Sequence, residues 1–493
     1  MGVVVKQTIK GSLYAYIGVI LGGINVGILF PKIFSESEIG LINILITVSA
    51  VSAQFGSLGS AGIINYFFPK FRNKENAHNS FFLFITLFAS IGFLLYTIVF
   101  YFFGDIFLST RDVNTLLQQQ YYPLLYPLTF FTVAFIIVDM FSSSTFNSTI
   151  GNLYKDIVVR IVVLVLTILY FFKYLSFSTF MLLYTINLGT PVVALLIYMV
   201  KKGDINFTLP RLSNYKPHLK KIISVGFFYI LSGLSDILAS YIDKYMISYY
   251  LGLRATGIYS ITNYFGTLTR IPRSAMGKIG TPVIAKLLSE ENHKELAALL
   301  KKSSVSQILM GIFIFINIWV NIDLILGFLS QSYAEGKWVV FFISLSHIFY
   351  CFMGLGGATL KVSKYYKIAT FFTIILGIMV VILNLMLIPK WGINGAAIST
   401  AIAKFIYVVI ILFFIAKKFK ISVIYFDSLK IIISGTIALI LTQQVPIVYF
   451  NFHEYGNLLI NLGIKSSSVT ILFVMFLRIT RFIKNTKQLK ELI

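Results

Sequence analysis

Stretches of about twenty apolar residues recur along almost the whole chain, separated by short polar connections that carry most of the basic residues. At 1.5 Å of rise per residue, about twenty residues cross the roughly 30 Å hydrocarbon core of a bilayer. A chain in lipid must satisfy its own backbone polar groups, so each such stretch is expected to be a helix. Only 12% of the 493 residues are charged, about half the usual share of a soluble domain. These features predict an all-α integral membrane protein and leave no room for a soluble domain.

Fourteen helices are expected, over 11–31, 40–68, 81–103, 120–147, 157–172, 178–200, 221–250, 256–285, 304–328, 338–360, 366–388, 394–416, 428–449 and 458–481. Lys6 and Lys10 precede the first apolar run and no small-residue cleavage site follows it, so that run reads as a retained helix with the N-terminus in the cytoplasm. The outer connections then hold only Lys32, Arg111, Lys173, Arg254, Lys337 and Lys390. The inner ones take far more, including Lys70, Arg72, Lys74, Lys155, Arg160 and, after the last helix, Arg478, Arg481, Lys484, Lys487 and Lys490. The asymmetry follows the positive-inside rule through every helix pair and places both termini in the cytoplasm. It also accounts for the net charge of +23 without a nucleic-acid partner.

The longest inner connection, "KKGDINFTLPRLSNYKPHLKK" (201–221), is polar and broken by proline, and it follows the sixth helix. It reads as a linker between two six-helix lobes, 1–205 and 206–420, with two further helices and a cytoplasmic tail over 421–493. A gapless comparison of 37–71 with 254–288 matches Gly40 with Gly257, Ile44 with Ile261 and Ser57 with Ser274, a weak internal repeat. Repeats of helices flanking a site near the midplane are the architecture of alternating-access transporters.

No catalytic constellation stands out. The outer connections are too short to carry one, so the chain is not expected to be an enzyme. The five histidines are scattered and there is a single cysteine, Cys351, which predicts no metal site and no bound cofactor. Glycine clusters such as "GSLGSAG" (56–62) lie within apolar spans and suit close helix packing.

The informative residues are charges inside the spans. "TLTRIPRSAMGK" (267–278) puts Arg270 at the midpoint of the eighth helix and Arg273 one turn further in, where an unpaired cation costs roughly 2.5–3.5 kcal/mol on insertion scales. Gly266 and Gly277 flank them, and Pro272 and Pro282 interrupt the backbone ladder. Lys404 falls near the middle of the twelfth helix, and Lys244 near the outer end of the seventh beside Asp243; Asp236 is near the middle of the seventh. Structural ion pairs of Asp236 with Arg270 or Lys404 are one reading. The surplus of cations over carboxylates favours another, an anion site formed by Arg270, Arg273, Lys404 and Lys244, with Gln54 and Asn25 as polar groups from the first lobe. Guanidinium forks match phosphate oxygens bidentately. Asp139, Asp236 and Asp243 are candidates for coupling transport to a Na+ or H+ gradient. The first lobe shows no Lys or Arg at the middle of a predicted span.

Three stretches carry a family resemblance: "FSESEIGLINILITV" (34–48), "DKYMISYYLGLRATGIYS" (243–260) and "IPKWGINGAAIST" (388–400). In order, these resemble Wzx-like polysaccharide flippases of the polysaccharide-transporter family, in the multidrug/oligosaccharidyl-lipid/polysaccharide (MOP) superfamily. The resemblance implies a MATE/MOP-like fold in the bacterial cytoplasmic membrane. It further implies translocation of undecaprenyl-diphosphate-linked oligosaccharide for O-antigen, capsule or exopolysaccharide, with a polysaccharide polymerase and other glycan-assembly proteins as partners. A cation-coupled multidrug exporter and a peptidoglycan lipid II flippase are the alternatives.

Overall fold

The computed structural model describes residues 14, 17–73, 77–108, 115–145, 148–421, 425–448, 454–480 and 482. Lys6, Lys10, Lys74, Arg111, Arg481, Lys484, Lys487 and Lys490, to which the sequence assigned sides of the membrane, lie outside them. The described residues are helical, with ten stretches long and apolar enough to cross a membrane. Two of these, running over 216–289 and 366–419, each contain two helices joined at a single non-helical residue. The protein is a multi-pass membrane protein.

The helical segments are α1 (17–33), α2 (36–71, broken at 57–59), α3 (81–108), α4 (115–144), α5 (148–171), α6 (177–201), α7 (219–251), α8 (253–289), α9 (293–329), α10 (337–362, broken at 354–355), α11 (366–391), α12 (393–419), α13 (426–443) and α14 (454–479). Gly252 (φ 78°) joins α7 to α8 and Gly392 (φ 56°) joins α11 to α12. At those dihedrals a Cβ would clash, so glycine lets one helix follow the other across a kink with no loop at all. Both glycines lie within the stretches that carry the family resemblance.

The chain divides into two compact units, Met1–Gly257 and Ile258–Ile493. In the first, α2 starts with a capping box: Ser35 and Glu38 each bond the other's backbone N–H. The start of α2 meets the start of α8 so closely that a Cβ on Gly257 would collide with the Glu36 carbonyl. At the other end of α2, Phe67, Phe68, Phe71, Phe81, Phe141 and Tyr215 form an aromatic core. The connection 202–218, which composition presents as a loose linker, is docked here. Tyr215 is 1% exposed and its ring stacks on Phe84 at 4.0 Å, while Thr208 meets the Ser80 hydroxyl at 2.8 Å.

In the second unit α9 packs against α13 and α14 through Ile308, Ile312, Ile316, Ile431, Val469 and Phe473. Asn321 adds a polar tie, its amide donating to Ser466 Oγ at 3.0 Å. Thus α13 and α14 are built onto the second unit.

Candidate functional site

The second unit gathers three of the predicted cations. Pro272 has no N–H to return to the carbonyl four residues earlier, and its ring crowds that position. Accordingly α8 tightens into a 3-10 turn at Leu268–Arg270 and resumes at Ile271. Side chains take up the local carbonyls: Thr267 Oγ1 donates to Tyr264 O and Thr269 Oγ1 to Gly266 O, both at 2.7 Å. Gly266 is closed over by Ile343 and Val340 of α10, whereas Gly277 has open space at its Cβ position. The two glycines expected to flank an open face therefore differ, and only the inner one leaves volume.

Arg270, last residue of the turn, is exposed. Arg273, one turn on, lays its guanidinium over the Tyr350 ring of α10, Cζ 4.0 Å from the centroid. Lys404 of α12 approaches the same ring, Nζ 5.8 Å from the centroid, and donates to Ser346 Oγ at 3.1 Å. Tyr407, one turn from Lys404, meets Tyr350 edge to face at 5.8 Å. His347 lies within electrostatic reach of Lys404, Arg270 and Arg273. Tyr350 thus joins α8, α10 and α12 around a local excess of positive charge. Among the described residues neither Arg270 nor Arg273 forms an ion pair with a carboxylate. Stacking occupies the face of a guanidinium and leaves its in-plane N–H donors free, the geometry that receives phosphate or carboxylate oxygens.

The remaining predicted residues belong to the first unit. Gln54 Nε2 donates to the Tyr229 carbonyl of α7 at 3.0 Å, and its amide fills the space beside Gly233. Lys244 donates to Asn43 Oδ1 at 2.9 Å, and its own backbone N–H bonds Asp243 Oδ1 at 2.8 Å. Asp243 is buried and Asp236 is exposed on α7. Asp139 of α4 sits directly against Gly151 of α5, within electrostatic reach of Lys155 and Asp156. Asn25, in a π-helical turn of α1, donates to the Arg160 carbonyl at 2.8 Å.

One expectation is corrected. Arg160, assigned from sequence to an inner connection, lies at the middle of α5, because that helix begins at Ser148 and contains a π-helical turn at Tyr154–Val158. The first unit therefore does carry an Arg at the middle of a helix. It is engaged, its guanidinium donating to the Gly18 carbonyl of α1. Tyr350 was missed altogether, since an aromatic residue in an apolar run has no mark separating it from core.

The MatE family model matches residues 229–390, a span that includes Arg270, Arg273 and Tyr350. Comparison with curated protein sequences returns no match. Among solved structures, the chain is similar to the lipid II flippase MurJ in an inward closed conformation, with a TM-score of 0.75 and 18% identity over 95% of this chain and 99% of that one. It is similar to an inward-facing multidrug resistance MATE family transporter of the MOP superfamily (TM-score 0.62, 14% identity, 82% of this chain and 94% of that one). A third is a MOP superfamily transporter from Pyrococcus furiosus, described as having a binding pocket of reverse polarity that suggests a different function (TM-score 0.57, 14% identity, 84% of this chain and 96% of that one). The chain has the all-α membrane fold of these MOP-superfamily transporters and flippases.

Proposed function

We propose that the chain is a flippase for polyprenyl-diphosphate-linked glycans, working by alternating access in the bacterial cytoplasmic membrane. The observation that carries this reading is the Tyr350 cluster: Arg273 and Lys404 share one aromatic face, Arg270 stands nearby, and among the described residues neither arginine has a carboxylate partner. A diphosphate supplies the missing negative charge and enough oxygens for both guanidinium forks. A carrier of cationic drugs would gain nothing from such a site, which counts against the multidrug alternative.

Undecaprenyl-diphosphate-linked oligosaccharide is the cargo favoured by the sequence resemblance, which also names a polysaccharide polymerase as partner. The similarity to MurJ favours lipid II as the second reading. The two cargos share the diphosphate that the cluster addresses, so they differ in the sugar rather than in the residues named here. For coupling to Na+ or H+, Asp236 is the acid whose side chain is exposed, while Asp139 and Asp243 are packed into their own unit.

The test is the fate of lipid-linked repeat units after deletion of the gene, with complementation by wild type and by Arg270→Ala. Units that accumulate facing the cytoplasm in the deletion and in the mutant support the reading. Normal delivery to the outer leaflet with raised drug susceptibility overturns it in favour of a drug exporter. Failure of peptidoglycan synthesis, with other glycans intact, identifies lipid II as the cargo.

A further inference from the structure

The first unit contains a groove of about 630 Å³ between α2, α3 and α7, within the usual range of ligand pockets. Val51 and Phe55 of α2, Leu95 and Val99 of α3, and Ile237 and Tyr241 of α7 are among its walls, and among the described residues no charged one lines it. Its lining runs over 47–58, where the first helical stretch of α2 ends, and over 92–100 in α3 and 230–245 in α7, about the middle of those two helices. Phe55, Leu95 and Val99 are about half exposed, and Leu94 and Ile98 beside them are exposed as well. The groove is therefore continuous with the apolar surface that α3 turns toward the bilayer.

Two physical arguments identify the occupant. An apolar trough open to lipid does not stay empty, because its walls forfeit dispersion contacts. An uncharged lining excludes a headgroup and admits a hydrocarbon chain. Length then selects among chains. The groove follows α7 for about 22 Å around the helix middle, whereas one leaflet contributes only about 15 Å of hydrocarbon. An ordinary acyl chain anchored at either surface ends where the groove is centred. A long isoprenoid crosses that level and fills the whole length.

We propose that this groove seats the polyprenyl chain of the transported lipid, as a tail site separate from the cation cluster that receives the diphosphate. The proposal rests on the reading of the cargo as a polyprenyl-linked lipid.

The test uses the full-length protein in phosphatidylethanolamine and phosphatidylglycerol vesicles, irradiated with a benzophenone-bearing polyprenyl phosphate that has no sugar. The expected result is labelling of peptides from 47–58, 92–100 and 230–245, reduced about tenfold by excess unlabelled undecaprenyl phosphate but not by added dipalmitoyl phosphatidylglycerol. Val99→Trp and, separately, Ile237→Trp fill the groove from its open side and should lower the labelling to a similar degree at unchanged protein yield. Equal displacement by the phospholipid would make the occupant an ordinary bilayer chain. Labelling confined to other helices, or unaffected by either tryptophan, would overturn the site. Arg273→Ala separates this proposal from the cargo reading: labelling that persists in that variant shows a tail site independent of the cations. Groove labelling in a protein whose deletion leaves lipid-linked units normal would refute the cargo reading and leave the chain site standing.

Discussion

The two compact units treat charge inside the membrane in opposite ways. In the first, the cations are absorbed by neighbours: Arg160 donates to the Gly18 carbonyl, Lys244 to Asn43, and Lys155 stands within reach of Asp139. In the second, Arg273 lies on an aromatic face and Arg270 is exposed, with no carboxylate paired to either among the described residues. An arginine whose guanidinium N–H is given to a protein carbonyl, like Arg160, is part of the framework. One held by its π face keeps its donors for a ligand. On the proposed reading this difference favours a headgroup site in the second unit, even though both units carry arginine at the middle of a helix.

The strongest way to break this comparison is to remove the cations of the second unit. Arg273→Ala and Lys404→Ala should each lower flipping at least about thirtyfold, since loss of one partner of a desolvated charged contact costs roughly 2–5 kcal/mol. Flipping is read as the fraction of lipid-linked units accessible from outside, normalised to protein in the membrane. Wild-type rates in both variants would sink the anion site. Next in size is Tyr350. Tyr350→Leu removes the face that orients both cations and should raise the half-saturating concentration of lipid substrate about tenfold, given about 1–2 kcal/mol for a desolvated cation–π contact. Tyr350→Phe keeps the ring and should restore wild-type behaviour. Equal damage from both would mean that the hydroxyl, rather than the face, matters.

A smaller effect of a different kind is expected in the first unit. Arg160→Met and Lys244→Met should leave flipping per molecule within about twofold of wild type, while lowering thermal stability through the bonds lost to Gly18 O and Asn43. Leaving a buried acceptor unsatisfied costs about 1–3 kcal/mol, so the readout is the unfolding temperature in detergent beside the flipping assay. A large transport defect for Lys244→Met without loss of stability would move part of the headgroup site into the first unit.

How far these properties were legible from sequence follows the range of the forces involved. Helices are local: an apolar run of about twenty residues declares itself, and the fourteen expected segments correspond in order to α1 through α14. The exception shows the limit. Lys155 and Asp156 lower the apolarity of the first half of α5, so its start was placed at 157, after them, and Arg160, only three residues further on, was counted with the inner connection. The candidate site was half legible. Arg270, Arg273 and Lys404 stand out because charge is rare in lipid, but their shared partner Tyr350 does not, because stacking depends on three helices distant in sequence. Gln54 and Lys244 carried the right chemistry for a site, and only their neighbours reveal that the chemistry is already used.

The docked connection offers the finest test, because it asks whether the first unit is framework beyond its membrane-spanning helices as well. Tyr215 lies outside the membrane-spanning segments, and burial pushes its phenol up to about 12 from a usual value near 10. A group held protonated in the folded state contributes stability that is complete below the unfolded value, near pH 10, and is lost as pH rises through the folded one, near 12. Limited proteolysis of the 202–218 connection should therefore stay slow up to about pH 10 and accelerate between pH 10 and 12. Tyr215→Phe keeps the stack on Phe84 and has no proton to lose, so its protection should persist across that window. If wild type and Tyr215→Phe open together, the alkaline transition belongs to another group and the connection is held by Asp204, Ile205 and the Ser80 contact to Thr208 instead. If only wild type opens while flipping measured at neutral pH is the same in both, the 202–218 connection of the first unit is framework, and the functional charge remains confined to the second.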